Sequence, residues 1–204
     1  MIYQNSRPVS RTAHNRAPKK KYEWRGFEVD ADTMMEHMKD YNDTGTETRD
    51  DRYFIVPGRT DQISQLRDNE TFVIKTLVET DGPLEVWETS VNSTIPMRRS
   101  LAAMIGAKIP KFSGPCTAAF TPDELTETLS KKSKFYHVKK DLTTFERDGV
   151  KARISKDHIN DNNVVSISLQ ADSPEPILAE LKRMGLSGKA SQNYGGYLST
   201  CPNT

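Results

Sequence analysis

The sequence predicts an α+β protein built on an antiparallel β-barrel, or a strongly curved antiparallel sheet, of about eight strands with helices packed outside. Three observations lead there. Short runs alternate apolar and polar residues at the strand period. Two of the steps between such runs are Asp-Gly pairs, Asp81-Gly82 and Asp148-Gly149, which favour tight hairpins and so antiparallel neighbours. The elements run strands, helices, strands, helix, without the regular strand–helix alternation of a parallel sheet.

Each element has its own warrant. KYEWRGFEVD (Lys21 to Asp30) reads as a short strand, and ADTMMEHMKDYN as a helix capped by Asp30 or Asp32, with Met34, Met35 and Met38 toward a core and Gly45 in a polar loop beyond it. DRYFIVPG, ISQLRDN, TFVIKTLVE and LEVWETSVN follow as strands, the last two joined at Asp81-Gly82. In that hairpin Val73, Lys75 and Leu77 share one face, and Phe72, Ile74 and Val78 the other. PMRRSLAAMIGAKIP has helical spacing at Leu101, Met104 and Ile105, and TPDELTETLSKK is a helix with Thr121 as cap and Pro122 in its first turn. KFYHVKKDLTTFERDGVKARISKD is a second hairpin, VVSISLQ a strand, and SPEPILAELKRMGL a helix starting near Pro176, with Ile177, Leu178, Leu181 and Met184 as its apolar stripe and Gly185 as its stop.

Composition removes several classes of function. The 204 residues carry 29 Lys and Arg against 28 Asp and Glu, so no global field draws the molecule to nucleic acid or membrane. Residues 1–21 differ: Arg7, Arg11, Arg16, Lys19, Lys20 and Lys21 stand there without an acid, which reads as a flexible basic arm ahead of a domain over 22–204. Such an arm could touch the phosphates of a nucleic acid, although a leader of this kind more commonly aids solubility. Cys116 and Cys201 lie far apart without histidines at zinc-ligand spacing, which argues against a disulfide framework and fits a reducing, cytoplasmic setting. No run reaches the ~18 apolar residues of a membrane span. The 11 glycines form neither a P-loop nor a dinucleotide-binding fingerprint, and the 4 histidines show no metal-ligand spacing. His37, His137 and His158 are read as surface or strand residues, and Trp24 and Trp87 as core or rim anchors.

One strand face remains to be explained. In the hairpin at Asp148-Gly149, Lys151, Arg153 and Ser155 fall on one side and Val150, Ala152 and Ile154 on the other. A solvated sheet face would account for the cations, and so would the wall of an anion-binding cavity.

The closing half, from VKKDLTTFERDGVKARISKD through NVVSISLQ and EPILAELKRMGL to YGGYL, resembles the CYTH, or triphosphate tunnel metalloenzyme, superfamily, and the strands RYFIVP, SQLRDN, FVIKTL and LEVWETSV follow that family's order. The resemblance spans about Tyr22 to Leu198 and rests on order and spacing. It implies an eight-stranded antiparallel tunnel in which Arg67, Lys75, Lys140 and Arg153 hold phosphate oxygens. A polyphosphate or nucleotide would be the partner and Mg²⁺ or Mn²⁺ the cofactor. Arg suits that task through its planar paired donors, and Lys through its compact charge. The chain departs from the pattern at the acids. Where the family opens with Glu-x-Glu-x-Lys this strand has Glu23 and Arg25, and where it closes with Glu-x-Glu there are Ser166 and Ser168; Leu142 stands where a second cation often follows Lys140. A metal would then rely on Glu85, Glu88 or Glu23, since hard divalent cations prefer carboxylate oxygens to hydroxyls. Two functions stay open: binding, with or without metal-dependent hydrolysis, of a triphosphate or nucleotide-type polyanion, and a non-catalytic structural or interaction role on the same scaffold.

Overall fold

The structure is a computed structural model and describes residues 21–98, 119–160 and 162–202. All of the expected basic arm except Lys21 lies outside these residues, as do Cys116 and the helical spacing at Leu101, Met104 and Ile105. In chain order the elements are β1 (Tyr22–Phe27), α1 (Ala31–His37), β2 (Asn42–Ile55), β3 (Gln62–Arg67), β4 (Thr71–Asp81), β5 (Leu84–Thr94), β6 (Met97–Arg98), β7 (Ala119–Phe120), α2 (Pro122–Ser130), β8 (Lys134–Arg147), β9 (Val150–Ile159), β10 (Asn162–Ala171), α3 (Pro174–Arg183) and α4 (Tyr194–Thr200). Eight strands close into a barrel in the order β1-β10-β9-β8-β2-β3-β4-β5, and β6 pairs with β7 beside it. Closure is made by β1 against β5, where Tyr22 faces Val86 and Glu23 faces Glu85. All the barrel pairings are antiparallel, as the hairpin signals implied. At the β8–β9 turn Asp148 (φ 49°) and Gly149 (φ 78°) both take the left-handed conformation that a two-residue hairpin with the right twist requires.

Alternation along the strands sorts side chains into a wet interior and an apolar coat. Val150, Ala152 and Ile154 point outward and pack with Trp24, Met34 and Met38 and with Ile177, Leu181 and Met184 of α3. On the other flank Phe54, Phe72 and Ile74 pack with Leu125 and Leu129 of α2 and with Met97 and Phe120. The helix ends are capped as their sequences indicate: Asp30 Oδ1 accepts from the Thr33 amide at 2.8 Å, and Thr121 with Glu124 forms a reciprocal capping box.

Three residues depart from expectation. Gly45 is not in a loop: β2 starts at Asn42 and pairs with β8 along its length, with a bulge between Asp43 and Gly45 where Gly45 takes φ 126°. Met35 (44% exposed) and Leu178 (42% exposed) leave the core. Each sits one residue, about 100° of helix, from a buried neighbour, and the stripes are Met34/Met38 and Ile177/Leu181/Met184. Helix α3 begins at Pro174, in keeping with the start expected near Pro176. The YGGYL tail, to which the sequence reading gave no conformation, forms α4, capped by Asn193, and it seals one end of the barrel.

Candidate functional site

The inward side chains form two zones. At the end sealed by α4, Tyr53, Ile55, Ile63, Tyr136, Val138, Ile159 and Val164 meet Tyr194 and Leu198 in an apolar plug. Toward the other end lies a narrow inner cavity of about 70 Å³, which widens into a vestibule of about 720 Å³. Glu23, Arg49, Arg67, Lys75, Trp87 and Arg153 border both spaces and so mark their junction. The strand register explains why they converge. Arg49 of β2 lies across from Lys140 of β8, and Ser168 of β10 lies between Arg25 of β1 and Arg153 of β9.

The cations differ in how far they are neutralised. Deep in the cavity Lys140 Nζ lies 2.7 Å from Asp51 Oδ2 and donates to the Tyr53 hydroxyl at 2.5 Å, with the Tyr194 ring centroid 4.0 Å away. Burial pushes the Lys140 ammonium below the ordinary lysine range, and Asp51 and Asp157 work against that. Asp157 is itself held by the hydroxyls of Ser155, Ser166 (3.1 Å) and Tyr194 (2.7 Å). Arg25 pairs with Glu23 at 3.1 Å, and Arg49 with the half-exposed Glu47 at 2.5 Å. By contrast the buried Nε atoms of Arg67 and Arg153 have no hydrogen-bond partner among the described residues. Lys75 is pushed down by burial and by the guanidiniums of Arg67, Arg25 and Arg153, which the carboxylate of Glu23 offsets in part. The Arg153 guanidinium is also shifted down, by burial and by the nearby Arg49 and Arg25. Positive charge is therefore least compensated at the junction of cavity and vestibule.

The structure brings Arg67, Lys75, Lys140 and Arg153 to one interior, although Lys140 sits deeper and is occupied by Asp51. The carboxylates considered as metal ligands are separately engaged. Glu23 takes Arg25 and the Gln170 amide at 2.6 Å; Glu85 takes Asn193 at 2.9 Å, with Trp87 and Ser191 each at 3.2 Å; Glu88 is exposed on the vestibule rim. Among the described residues no group of three His, Cys, Asp or Glu side chains comes together to hold a metal ion. Glu23 and Glu85 face each other across β1 and β5, but the donors already on both leave no free pair of carboxylate oxygens of the kind that Mg²⁺ or Mn²⁺ prefers.

Sequence reasoning did not count Arg25 and Arg49 among the phosphate-binding candidates. Arg49 lies just ahead of the apolar run DRYFIV, so its strand signal is faint, yet Arg49, Asp51, Tyr53 and Ile55 share one period-two face. His137, paired with Asp50 at 2.6 Å, and His158, bonded to Asn163 at 2.8 Å, take no part in the cavity.

Fold and interior together define a class: a closed antiparallel tunnel with one end plugged and a cationic junction near the other. This closed barrel of eight antiparallel strands is the architecture that the sequence resemblance implied. No protein-family model matches the chain, and no curated protein matches it. Solved structures similar to it include the PH1012 protein from Pyrococcus horikoshii OT3 (15% identity over 84% of this chain and 94% of that one, TM-score 0.48). Others are a putative adenylyl cyclase from Hippeastrum, described as having a dominant triphosphatase activity (11% identity, 83% and 92% covered, TM-score 0.48), and a putative adenylate cyclase from Bacillus halodurans (14% identity, 86% and 96% covered, TM-score 0.48). Among the described residues no helix is long and apolar enough to cross a membrane.

Proposed function

We propose that the barrel binds a polyanion of the triphosphate or nucleotide type, entered from the vestibule with its phosphate chain at the cavity junction. The observation that carries this reading is the set of interior cations left without matching carboxylates: Arg67, Lys75 and Arg153, with Arg25 and Arg49 beside them. Such a cluster is unfavourable when empty, because each charge is desolvated and repelled by its neighbours. A polyphosphate relieves both costs, and the guanidinium planes match pairs of its oxygens. The family resemblance read from the sequence points the same way. These residues neutralise and orient a phosphate chain; they do not assemble a carboxylate site for an activating ion, and no hydrolytic step follows from them.

The test is a thermal-shift and calorimetric series with orthophosphate, pyrophosphate, tripolyphosphate and nucleoside triphosphates, each with and without Mg²⁺ or Mn²⁺. Binding to the folded state alone raises the melting temperature, and the expected order of effect follows chain length. No shift with any polyphosphate under any of these conditions overturns the proposal and favours the interaction-protein alternative. Phosphate release measured on the same samples addresses turnover separately.

A further inference from the structure

In a tunnel that binds polyphosphate through a divalent ion, inward carboxylates must leave oxygen lone pairs free for the metal. Here the corresponding region is organised around a guanidinium. Arg25 lies on the inner face of β1 with its side chain 13% exposed, pairs with Glu23 at 3.1 Å, and holds its guanidinium carbon 4.7 Å from the centre of the Tyr194 ring. Its register neighbour is Ser168, whose other neighbour is Arg153, so a hydroxyl stands between two guanidiniums. A divalent ion placed there would meet like charge on both sides and a weak oxygen ligand between them.

Arg25 is also central to the interior. Its charge is felt by Lys75, Lys140 and Arg153, while the carboxylates of Glu23 and Asp157 favour its charged form. An arginine in this position cannot be deprotonated near neutral pH, and unlike a bound ion it cannot dissociate.

We propose that Arg25 takes the place of a divalent cation in this tunnel, so that polyphosphate binds without metal through Arg25, Arg67, Lys75 and Arg153. The inference rests on the polyanion-binding reading above and makes that reading more specific. Free polyphosphate is then the preferred ligand. Mg²⁺ added in solution competes with the tunnel for phosphate oxygens instead of bridging them to the protein.

The experiment is calorimetric titration of the full chain with tripolyphosphate in EDTA and in excess Mg²⁺. Three proteins are compared: wild type, Arg25→Gln, and Arg25→Lys, which keeps the charge but loses the fork. Wild type is expected to bind at least as tightly in EDTA as in Mg²⁺. Arg25→Gln is expected to lose about tenfold or more in EDTA, and Arg25→Lys to retain metal-free binding with a smaller loss. Binding by wild type only when a divalent ion is present overturns this inference and leaves the polyanion reading standing. Tight metal-free binding by a folded Arg25→Gln protein also overturns it. Should Arg25→Gln not fold, the wild-type comparison and Arg25→Lys still decide. No binding in either buffer removes both readings together.

Discussion

Replacing Lys75 with Met tests the charge argument at its most exposed point, because it should strengthen the empty protein and weaken the liganded one. Burial and the guanidiniums of Arg67, Arg25 and Arg153 disfavour the Lys75 charge, and the Glu23 carboxylate offsets this in part. At a separation of roughly 7 Å and an effective dielectric of about 20, a single like-charge pair costs roughly 2 kcal/mol before screening. The junction opens to solvent, which we take to reduce this to roughly 1–2 kcal/mol, or about 2–8 °C in melting temperature for a domain of this size. Ligand at about 100 times its Kd stabilises wild type by roughly 2.7 kcal/mol. Losing one charge-assisted contact costs roughly 1.5–3 kcal/mol of binding, a weakening of about ten- to a hundredfold. The same ligand concentration then stabilises the variant by roughly 1.4 kcal/mol at best and about 0.4 kcal/mol at worst. Differential scanning fluorimetry with tripolyphosphate reads both effects. A Lys75→Met protein that melts below wild type when empty, or that keeps the full ligand shift, refutes the reasoning.

The remaining predictions address pH and packing. Burial and the surrounding guanidiniums hold Lys75 below the ordinary value of 10.5, so its folded-state proton is lost earlier than its unfolded-state one. In that window the unfolded chain binds more protons, stability contributed at this site rises with pH, and the advantage of Lys75→Met shrinks; urea midpoints of both proteins at about pH 7 and about pH 9.5 check this. A bound polyphosphate restores the charge, so binding takes up protons and weakens as pH rises through the same window, measurable by calorimetry in buffers of different ionisation enthalpy. Glu23 has the opposite sign. Burial would raise its carboxyl, but Arg25, Lys75 and Gln170 outweigh that and hold it below 4.5; its stabilisation is present above that value and is lost as pH falls through the lower folded one, which acid titration of wild type against Glu23→Gln measures. At Gly26 an added Cβ would meet the Trp24 ring at 2.7 Å, so Gly26→Ala is expected to cost about 1–3 kcal/mol by overpacking, read as a lower urea midpoint.

The fold was legible where period and turn chemistry agreed. Val150, Ala152 and Ile154 separated from Arg153 and Ser155 by simple alternation, and Asp148-Gly149 named its own hairpin. Legibility failed where neighbouring strands, not local sequence, fix the conformation. Residues 42–50 are almost entirely polar, and they are strand because β8 offers a full ladder of partners from Lys139 to Glu146. Helix α4 was missed for a related reason: YGGYLST has two glycines and little intrinsic helicity, and it is held by Asn193 at its cap and by burial of Tyr194 and Leu198 in the barrel end.

The site was legible in part for a physical reason that also bears on how it works. Arg67, Lys75, Lys140 and Arg153 were singled out through the family resemblance, and among them strand alternation by itself set apart only Arg153, on the face opposite Val150, Ala152 and Ile154. Nothing in a single strand tells which cation will be matched by an acid from elsewhere. Asp51 reaches Lys140 from β2, whereas Glu23 reaches Arg25 from two residues away on β1 itself. Asp51 thus neutralises the floor at Lys140, while Glu23 serves a junction that Arg25, Arg67, Lys75 and Arg153 share, and the division follows from barrel register, which brings Arg49 beside Lys140 and Arg25 beside Ser168. The same register sets the consequence of restoring the acids. Arg25→Glu with Ser168→Glu would place two carboxylates side by side on neighbouring strands, with Arg153 next to the second. We expect that double variant to lose metal-free polyphosphate binding and to acquire Mn²⁺ binding, detectable by calorimetry with the metal alone. If it bound tripolyphosphate in EDTA as tightly as wild type, the placement of the guanidinium at the centre of recognition would be wrong.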